Sequence, residues 1–242
     1  MSCFFVTGTD TNVGKTVASR AIIQALQNEG IQIVGYKPIA CRQEDWGYQE
    51  APNLTESDYG LENNSDVLTL MSATKESVTY QDVNSYSFSH KLPMLSEEGQ
   101  RIDIAKINYD LMALSQRFQS VLVEGAFGWL TPMNQEYSFA SWAVSHKMPV
   151  VLVVGIKEGC INHALLTAQS IEQSGLSLLG WIANRINPGL AHYAEIIAML
   201  SEKIEAPLLG QIPYVHKPEE QELGHYITNL ERLTYMQTTL VK

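Results

Sequence analysis

Cysteine is scarce in this chain. Cys3, Cys41 and Cys160 are odd in number and widely spaced, so neither a disulfide framework nor a metal knuckle follows, and a reducing cytoplasm is expected. Positive charge is short too: 16 lysines and arginines stand against 26 aspartates and glutamates, a formal net charge of -10. No basic cluster offsets it, which argues against nucleic acid as a partner. Runs of ~18 apolar residues are missing, so no membrane span or membrane partner is expected. The chain enters a strand-like run at once, so no signal peptide is expected. Internal repeats, low-complexity linkers and a second-domain boundary are likewise lacking, and 242 residues suit one α/β domain over 1–242.

What the chain does have is concentrated near its start. The apolar run from Cys3 to Val6 breaks into a polar loop bracketed by Gly8 and Gly14. Gly14-Lys15-Thr16 follows, then a helical pattern of Val17, Ala21, Ile22, Ala25 and Leu26. Strand, glycine loop, Gly-Lys-Thr and helix in that order make a phosphate cradle. The first N–H groups of a helix have no intrahelical partners, and the helix dipole adds partial positive charge there. Lys15 would reach the terminal phosphates and the Thr16 hydroxyl would take a Mg²⁺ coordination place. One feature is irregular: five residues separate the two glycines where four are usual, with Thr9 at the usual position of the first glycine.

Further along, Gly30 stops the first helix and Gln32 to Tyr36 reads as a second strand that delivers Lys37-Pro38 to its C-terminal end. Ligands of open parallel sheets sit at the carboxyl ends of strands, so Lys37 is expected in the same crevice as Lys15. Residues 41 to 64 read as a long polar loop. Asn64-Ser65-Asp66 opens a helix, where Asp66 either favours the helix dipole or ligates Mg²⁺. Residues 73 to 100 read as irregular, ending in Ser96-Glu97-Glu98-Gly99, and a helix is expected from about Ile104 to Phe118. Ser120 to Ala126 reads as a buried strand ending in Glu124 and Gly125. A buried acid without a partner costs several kcal/mol, so Glu124 needs a cation nearby. Pro149 to Gly155 is another strand, leading through Gly159-Cys160-Ile161-Asn162 into a helix whose start offers a second anion site. His163 reads as an ordinary helix residue and Cys160 as a packing residue. Leu178 to Asn184 is a strand, a helix starts at about Leu190, Leu208 to Ile212 is the last strand, and a polar helix from Glu219 closes the chain. Alternating strands and helices predict a mainly parallel sheet with helices on both faces, a three-layer α/β fold of the P-loop NTPase type.

Six stretches in order along the chain resemble the dethiobiotin synthetase family. They are Val6 to Thr16, Gly35-Tyr36-Lys37-Pro38, Asn64-Ser65-Asp66, Val123-Glu124-Gly125-Ala126, Gly159-Cys160-Ile161-Asn162-His163-Ala164 and Trp181-Ile182-Ala183-Asn184. The five-residue glycine spacing is this family's own version of the loop. The resemblance implies a cytoplasmic, ATP- and Mg²⁺-dependent ligase that closes a cyclic urea on 7,8-diaminononanoate with CO2, in biotin synthesis. It implies that Thr16, Asp66 and Glu124 hold Mg²⁺ and that Lys15 and Lys37 bracket the reacting groups as catalytic residues. It also implies a nucleotide site of Asn12, Val13, Gly14, Lys15, Thr16, Val17, Asp66, Glu124, Gly125, Ala126 and Phe127, closed by Asn184, Arg185, Pro213, Tyr214, Val215 and Glu220. Asn184 would read the adenine. On the substrate side stand Thr11, Lys37, Cys41 and the helix start Gly159, Cys160, Ile161 and Asn162, which reaches across a homodimer interface in the family.

Two positions depart from the family pattern. Cys41 stands where many members carry a serine, and Phe127 interrupts a run that is usually Gly-Ala-Gly-Gly or Gly-Thr-Gly-Gly. Ala183 to Gly189 and Glu220 to Gly224 resemble a second, paralogous branch. Two other functions compete with the ligase: an ATP-driven switch or partitioning ATPase on the same sheet, and a catalytically weakened paralog that binds nucleotide and regulates. The switch ATPases usually carry an additional lysine early in the loop, where this chain has threonine or aspartate.

Overall fold

The computed structural model describes residues 2–41, 64–88 and 102–238. Most of the polar stretch over 41 to 64, and Ser96 to Gly99, lie outside the described residues. Six strands form one parallel sheet in the order β2-β5-β1-β6-β7-β8: β1 (Ser2–Gly8), β2 (Ile33–Tyr36), β5 (Ser120–Glu124), β6 (Val150–Gly155), β7 (Leu178–Asn184) and β8 (Leu208–Ile212). Their apolar runs suit strands covered on both faces, and β2, β5 and β6 are buried along their whole length. The longer helices between them are α1 (Lys15–Asn28), α2 (Ser65–Ala73), α4 (Ile104–Arg117), α6 (Cys160–Gln173) and α7 (Tyr193–Lys203).

Strand β2 shows how the two faces are covered. A Cβ on Gly35 would meet Ile23 of α1 and Leu70 of α2. The next side chain, Tyr36, points the other way, and its hydroxyl donates to the Ile107 carbonyl of α4 at 3.1 Å. The chain steps from β1 to β2 in one direction along the sheet and returns through β5, β6, β7 and β8 in the other. With right-handed crossovers, that reversal puts helices on both faces and opens a crevice at the carboxyl ends of β1 and its neighbours.

Several expected boundaries change. Residues 73 to 100 are not wholly irregular: they contain α3 (Tyr80–Val83) and β4 (Tyr86–Phe88), which pairs in parallel with β3 (Ile39–Cys41) as a two-stranded sheet. Helix α5 (Phe139–Ser145) stands where no helix was expected. The helix expected at about Leu190 starts at Tyr193, after a left-handed His192. No long helix begins at Glu219. That segment forms two 3-10 turns, Pro218–Glu220 and Gly224–Tyr226, and α8 runs over Glu231–Thr238. Gly224 packs so closely on α1 that a Cβ would lie 2.9 Å from the Ala25 nitrogen, which favours a turn over a helix with side chains all round.

Candidate active site

Because the sheet is parallel, its strands deliver their carboxyl ends to one edge. After β1 the chain turns through Asn12 (φ 55°) and Gly14 (φ 87°), both left-handed, and enters α1 with no side-chain cap. The loop closes on its own lysine: Lys15 Nζ donates to the Asp10 carbonyl at 2.9 Å. Burial pushes the Lys15 ammonium down to about 8, with the nearby Lys37 adding to the effect. The charge of Lys37 thus reaches Lys15.

The centre of that crevice is a set of oxygens around the Lys37 ammonium. Lys37 Nζ donates to Asp66 Oδ2 at 2.6 Å and to Glu124 Oε1 at 2.6 Å. Thr16 Oγ1 donates to the same Glu124 oxygen at 2.7 Å. Burial alone would lower the Lys37 pKa, but Asp66 and Glu124 more than offset it and hold the ammonium above its usual range. In the opposite sense, burial favours neutral Asp66, yet Lys37 and the Thr16 hydroxyl keep its carboxyl below the usual range. Removing the ammonium would leave two buried carboxylates without their cation, at ~3–5 kcal/mol.

Glu124 Oε2 is fully buried and has no hydrogen-bond partner among the described residues. A buried polar atom in that condition points to a missing partner. Two carboxylates and a hydroxyl are hard oxygen donors, a set suited to Mg²⁺ rather than to thiolate-seeking metals. Among the described residues no group of three His, Cys, Asp or Glu side chains could hold a metal by itself. A cation here would complete its shell from phosphate oxygens or water, as Mg²⁺ commonly does.

Asn184 ends β7, and its Nδ2 donates to the Val13 carbonyl at 3.0 Å, so it braces the phosphate loop. The Arg185 guanidinium lies over the Tyr193 ring at 4.6 Å and donates to the Pro188 carbonyl at 2.9 Å. Pro213, Tyr214 and Val215 follow β8, and Tyr214 is exposed. Glu220 lies in the 3-10 turn before Gln221, whose carbonyl accepts Arg20 Nε of α1 at 2.9 Å. After β5, Gly125 donates its N–H to the Val6 carbonyl at 3.0 Å, Ala126 is buried, and Phe127 is left-handed at φ 59°. Val17 is packed against the core. The Cys41 thiol is pushed up to about 12 by burial, although the Lys37 charge pulls it the other way.

At the expected second anion site, α6 begins on Gly159 with no side-chain cap. Cys160 is buried and its N–H donates to the Lys157 carbonyl at 3.1 Å, while Ile161 is half-buried and Asn162 exposed. The Thr11 N–H donates to Asp10 Oδ1 at 2.7 Å, and Asp10 Oδ2 accepts Lys157 Nζ at 3.2 Å. This Asp10–Lys157 pair joins the phosphate loop to the loop before α6, and sequence reasoning missed it.

Comparison with known proteins adds a second line. A family model described as an AAA domain matches residues 3–222. ATP-dependent dethiobiotin synthetase BioD of Mannheimia succiniciproducens is 69% identical over 242 residues, 100% of both chains. BioD 1 of Pasteurella multocida is 69% identical over 99% of both chains, and BioD 2 of Escherichia coli is 47% identical over 93% of this chain and 91% of that one. Among solved structures, the MinC:MinD cell division protein complex of Aquifex aeolicus matches at TM-score 0.56 and 14% identity, over 98% of this chain and 96% of that one. A ParA family ATPase from Chlorobium tepidum matches at 0.52 and 12%, over 99% and 98%. At such identities these two show the fold alone, an α/β sheet of the P-loop NTPase type.

Proposed function

The chain belongs to the ATP-dependent dethiobiotin synthetase family, and we propose that the crevice at the carboxyl ends of β1, β2 and β5 is where it closes the cyclic urea of dethiobiotin on 7,8-diaminononanoate. The protein is an enzyme of biotin synthesis with small-molecule substrates. The observation that carries the site assignment is one connected cluster: Lys37 Nζ bonds Asp66 and Glu124 at 2.6 Å each, Thr16 bonds the same Glu124 oxygen at 2.7 Å, and their charges act on Lys15.

In this reading a substrate amine takes up CO2 to give a carbamate. The carbamate oxygen attacks the γ-phosphorus of ATP, ADP leaves, and a carbamic–phosphoric anhydride forms. The neighbouring amine then attacks the carbonyl carbon, phosphate departs with the bonding electrons, and the ring closes with loss of a proton. No covalent protein nucleophile is needed. Such transfers depend on positioning and on neutralising charge. The N–H groups from Asn12 to Val17 cradle the phosphates, with Lys15 on the transferred group and Lys37 between it and the carbamate. Asp66, Glu124 and the Thr16 hydroxyl would hold Mg²⁺, which when bound neutralises phosphate charge. Asn184, Arg185, Pro213 to Val215 and Glu220 line the nucleoside side, and Gly125 to Phe127 form the wall beside Glu124. Thr11 and Cys41 face the diamine.

The working unit in this proposal is a single-domain cytoplasmic homodimer. The α6 start of a second copy, Gly159 to Asn162, receives the substrate carboxylate. The fold likeness to MinD and ParA proteins does not favour a switch, because relatives at 69% identity over the full chain are synthetases. The test is purified protein with diaminononanoate, bicarbonate and MgATP. Dethiobiotin and ADP should form together, with ATP turnover dependent on the diamine. ATP turnover indifferent to the diamine but raised by membrane or DNA would overturn the reading.

A further inference from the structure

A chain of buried and half-buried polar side chains joins the backbones of two residues of the crevice. Asn84, buried to 6% exposure, follows α3. Its Nδ2 donates to the Lys37 carbonyl at 2.7 Å and to the Tyr86 carbonyl at 3.0 Å, so both amide hydrogens are used. Its Oδ1 accepts Ser87 Oγ at 2.8 Å. The single Ser87 proton is thereby committed, so the 2.9 Å contact between Tyr80 and Ser87 has Tyr80 as donor. The Tyr80 oxygen in turn faces the Asn64 N–H at 3.4 Å. Asn64 caps α2, its Oδ1 accepting the N–H groups of Asp66 at 3.0 Å and Val67 at 3.3 Å, while its Nδ2 donates to the Cys41 carbonyl at 3.0 Å.

The path has a fixed direction. The Asn84 amide cannot turn over without setting its Oδ1 against the Lys37 and Tyr86 carbonyl oxygens, and with that amide fixed each hydroxyl proton has one acceptor along the path. At one end the path grips the backbone of Lys37, and at the other the backbone of Asp66. The two side chains meet again at 2.6 Å, which closes the ring. The Lys37 backbone is gripped twice more nearby, its N–H donating to the Val83 carbonyl at 2.8 Å and the next carbonyl, Pro38, accepting the Tyr86 N–H at 3.0 Å.

We propose that Asn84 is a positioning residue for ring closure: through its bond to the Lys37 carbonyl, and oriented by Ser87 and Tyr80, it fixes where the Lys37 ammonium stands relative to Asp66 and Glu124. Asn84 touches neither substrate nor nucleotide in this account and acts only through Lys37. The inference rests on the role of Lys37 given above. An ammonium misplaced by ~1 Å costs on the order of 100-fold in such chemistry, and loss of a comparable supporting partner about 10- to 100-fold.

The test compares Asn84→Asp, Ser87→Ala, Lys37→Gln and the double variant Asn84→Asp/Lys37→Gln with the unaltered enzyme, measuring kcat, the KM for ATP and thermal melting. Asn84→Asp keeps the shape and the acceptor for Ser87 but puts an acceptor against the Lys37 carbonyl. It should lower kcat by about 10- to 100-fold and leave the KM for ATP within about 2-fold. Ser87→Ala should lower kcat by a smaller factor in the same direction. In the Lys37→Gln background, Asn84→Asp should cost nothing further, whereas a merely structural role would multiply the two losses. An unchanged kcat in Asn84→Asp, or multiplying losses, would overturn the proposal. If Asn84→Asp does not fold, Ser87→Ala decides: an unchanged kcat there overturns it. Failure of the unaltered enzyme to make dethiobiotin would remove the function reading itself, a different result from an active enzyme indifferent to Asn84.

Discussion

Helices α1 and α6 both begin on a left-handed glycine, Gly14 at φ 87° and Gly159 at φ 78°, and neither has a side-chain cap. Their surroundings differ. A Cβ on Gly14 would lie 1.9 Å from Asn184 Nδ2, whereas a Cβ on Gly159 would meet nothing within 4 Å. Gly14 is needed for its backbone and for the packing of a neighbour, Gly159 for its backbone alone. The first turn of α1 also carries Lys15 and Thr16, both turned into the crevice. The first turn of α6 buries Cys160 and leaves Asn162 exposed, so it offers N–H groups and little side-chain chemistry. One helix start is built into the centre of the molecule, and the other waits at its surface.

Five substitutions bear on this contrast. Lys15→Gln removes the cation from the buttressed start, and ring closure should fall by roughly 100- to 1,000-fold. Near-normal turnover of the purified variant would reject the role. Gly14→Ala should weaken ATP binding at least tenfold and lower the melting temperature, because the methyl group collides with Asn184. Adding Asn184→Ala should recover part of the melting temperature; no recovery would show that the collision is not the cause. Gly159→Ala should cost only the left-handed backbone penalty of ~1–2 kcal/mol, read by denaturant unfolding. A loss as large as that of Gly14→Ala would erase the distinction. At Phe127, another left-handed position, a glycine should change unfolding free energy by no more than about 1 kcal/mol and leave turnover equal or higher. Collapse of activity would show that the ring has a positive role.

The sheet was readable because its strands are apolar runs broken by turn residues, and Leu208–Ile212 matches residue for residue. Short elements were not readable. β3 and β4 have three residues each and α3 has four, too few for a period to show. Local signals existed, since Thr79 with Asp82 and Ser138 with Ser141 form capping boxes at α3 and α5. The expected helix after Glu219 failed because Gly224 packs directly against the backbone of α1, a contact about 200 residues long-range that no local pattern reveals. At the site, Lys15, Thr16, Lys37, Asp66 and Glu124 could be picked out because they sit in motifs at strand and helix ends. The Asn64–Tyr80–Ser87–Asn84 path could not, since it uses common residue types whose partners are set by tertiary packing.

Arg20 and Gln24 of α1 hold the Gln221 carbonyl, and Gln24 also accepts the Leu223 N–H at 2.6 Å, across separations of 197 to 201 residues. On a ribosome, the helix that follows the phosphate loop is made about 200 residues before its partners emerge. Until then, two polar side chains on its flank stay hydrated or find temporary companions, and the nascent chain must wait for that distant segment before this layer can settle.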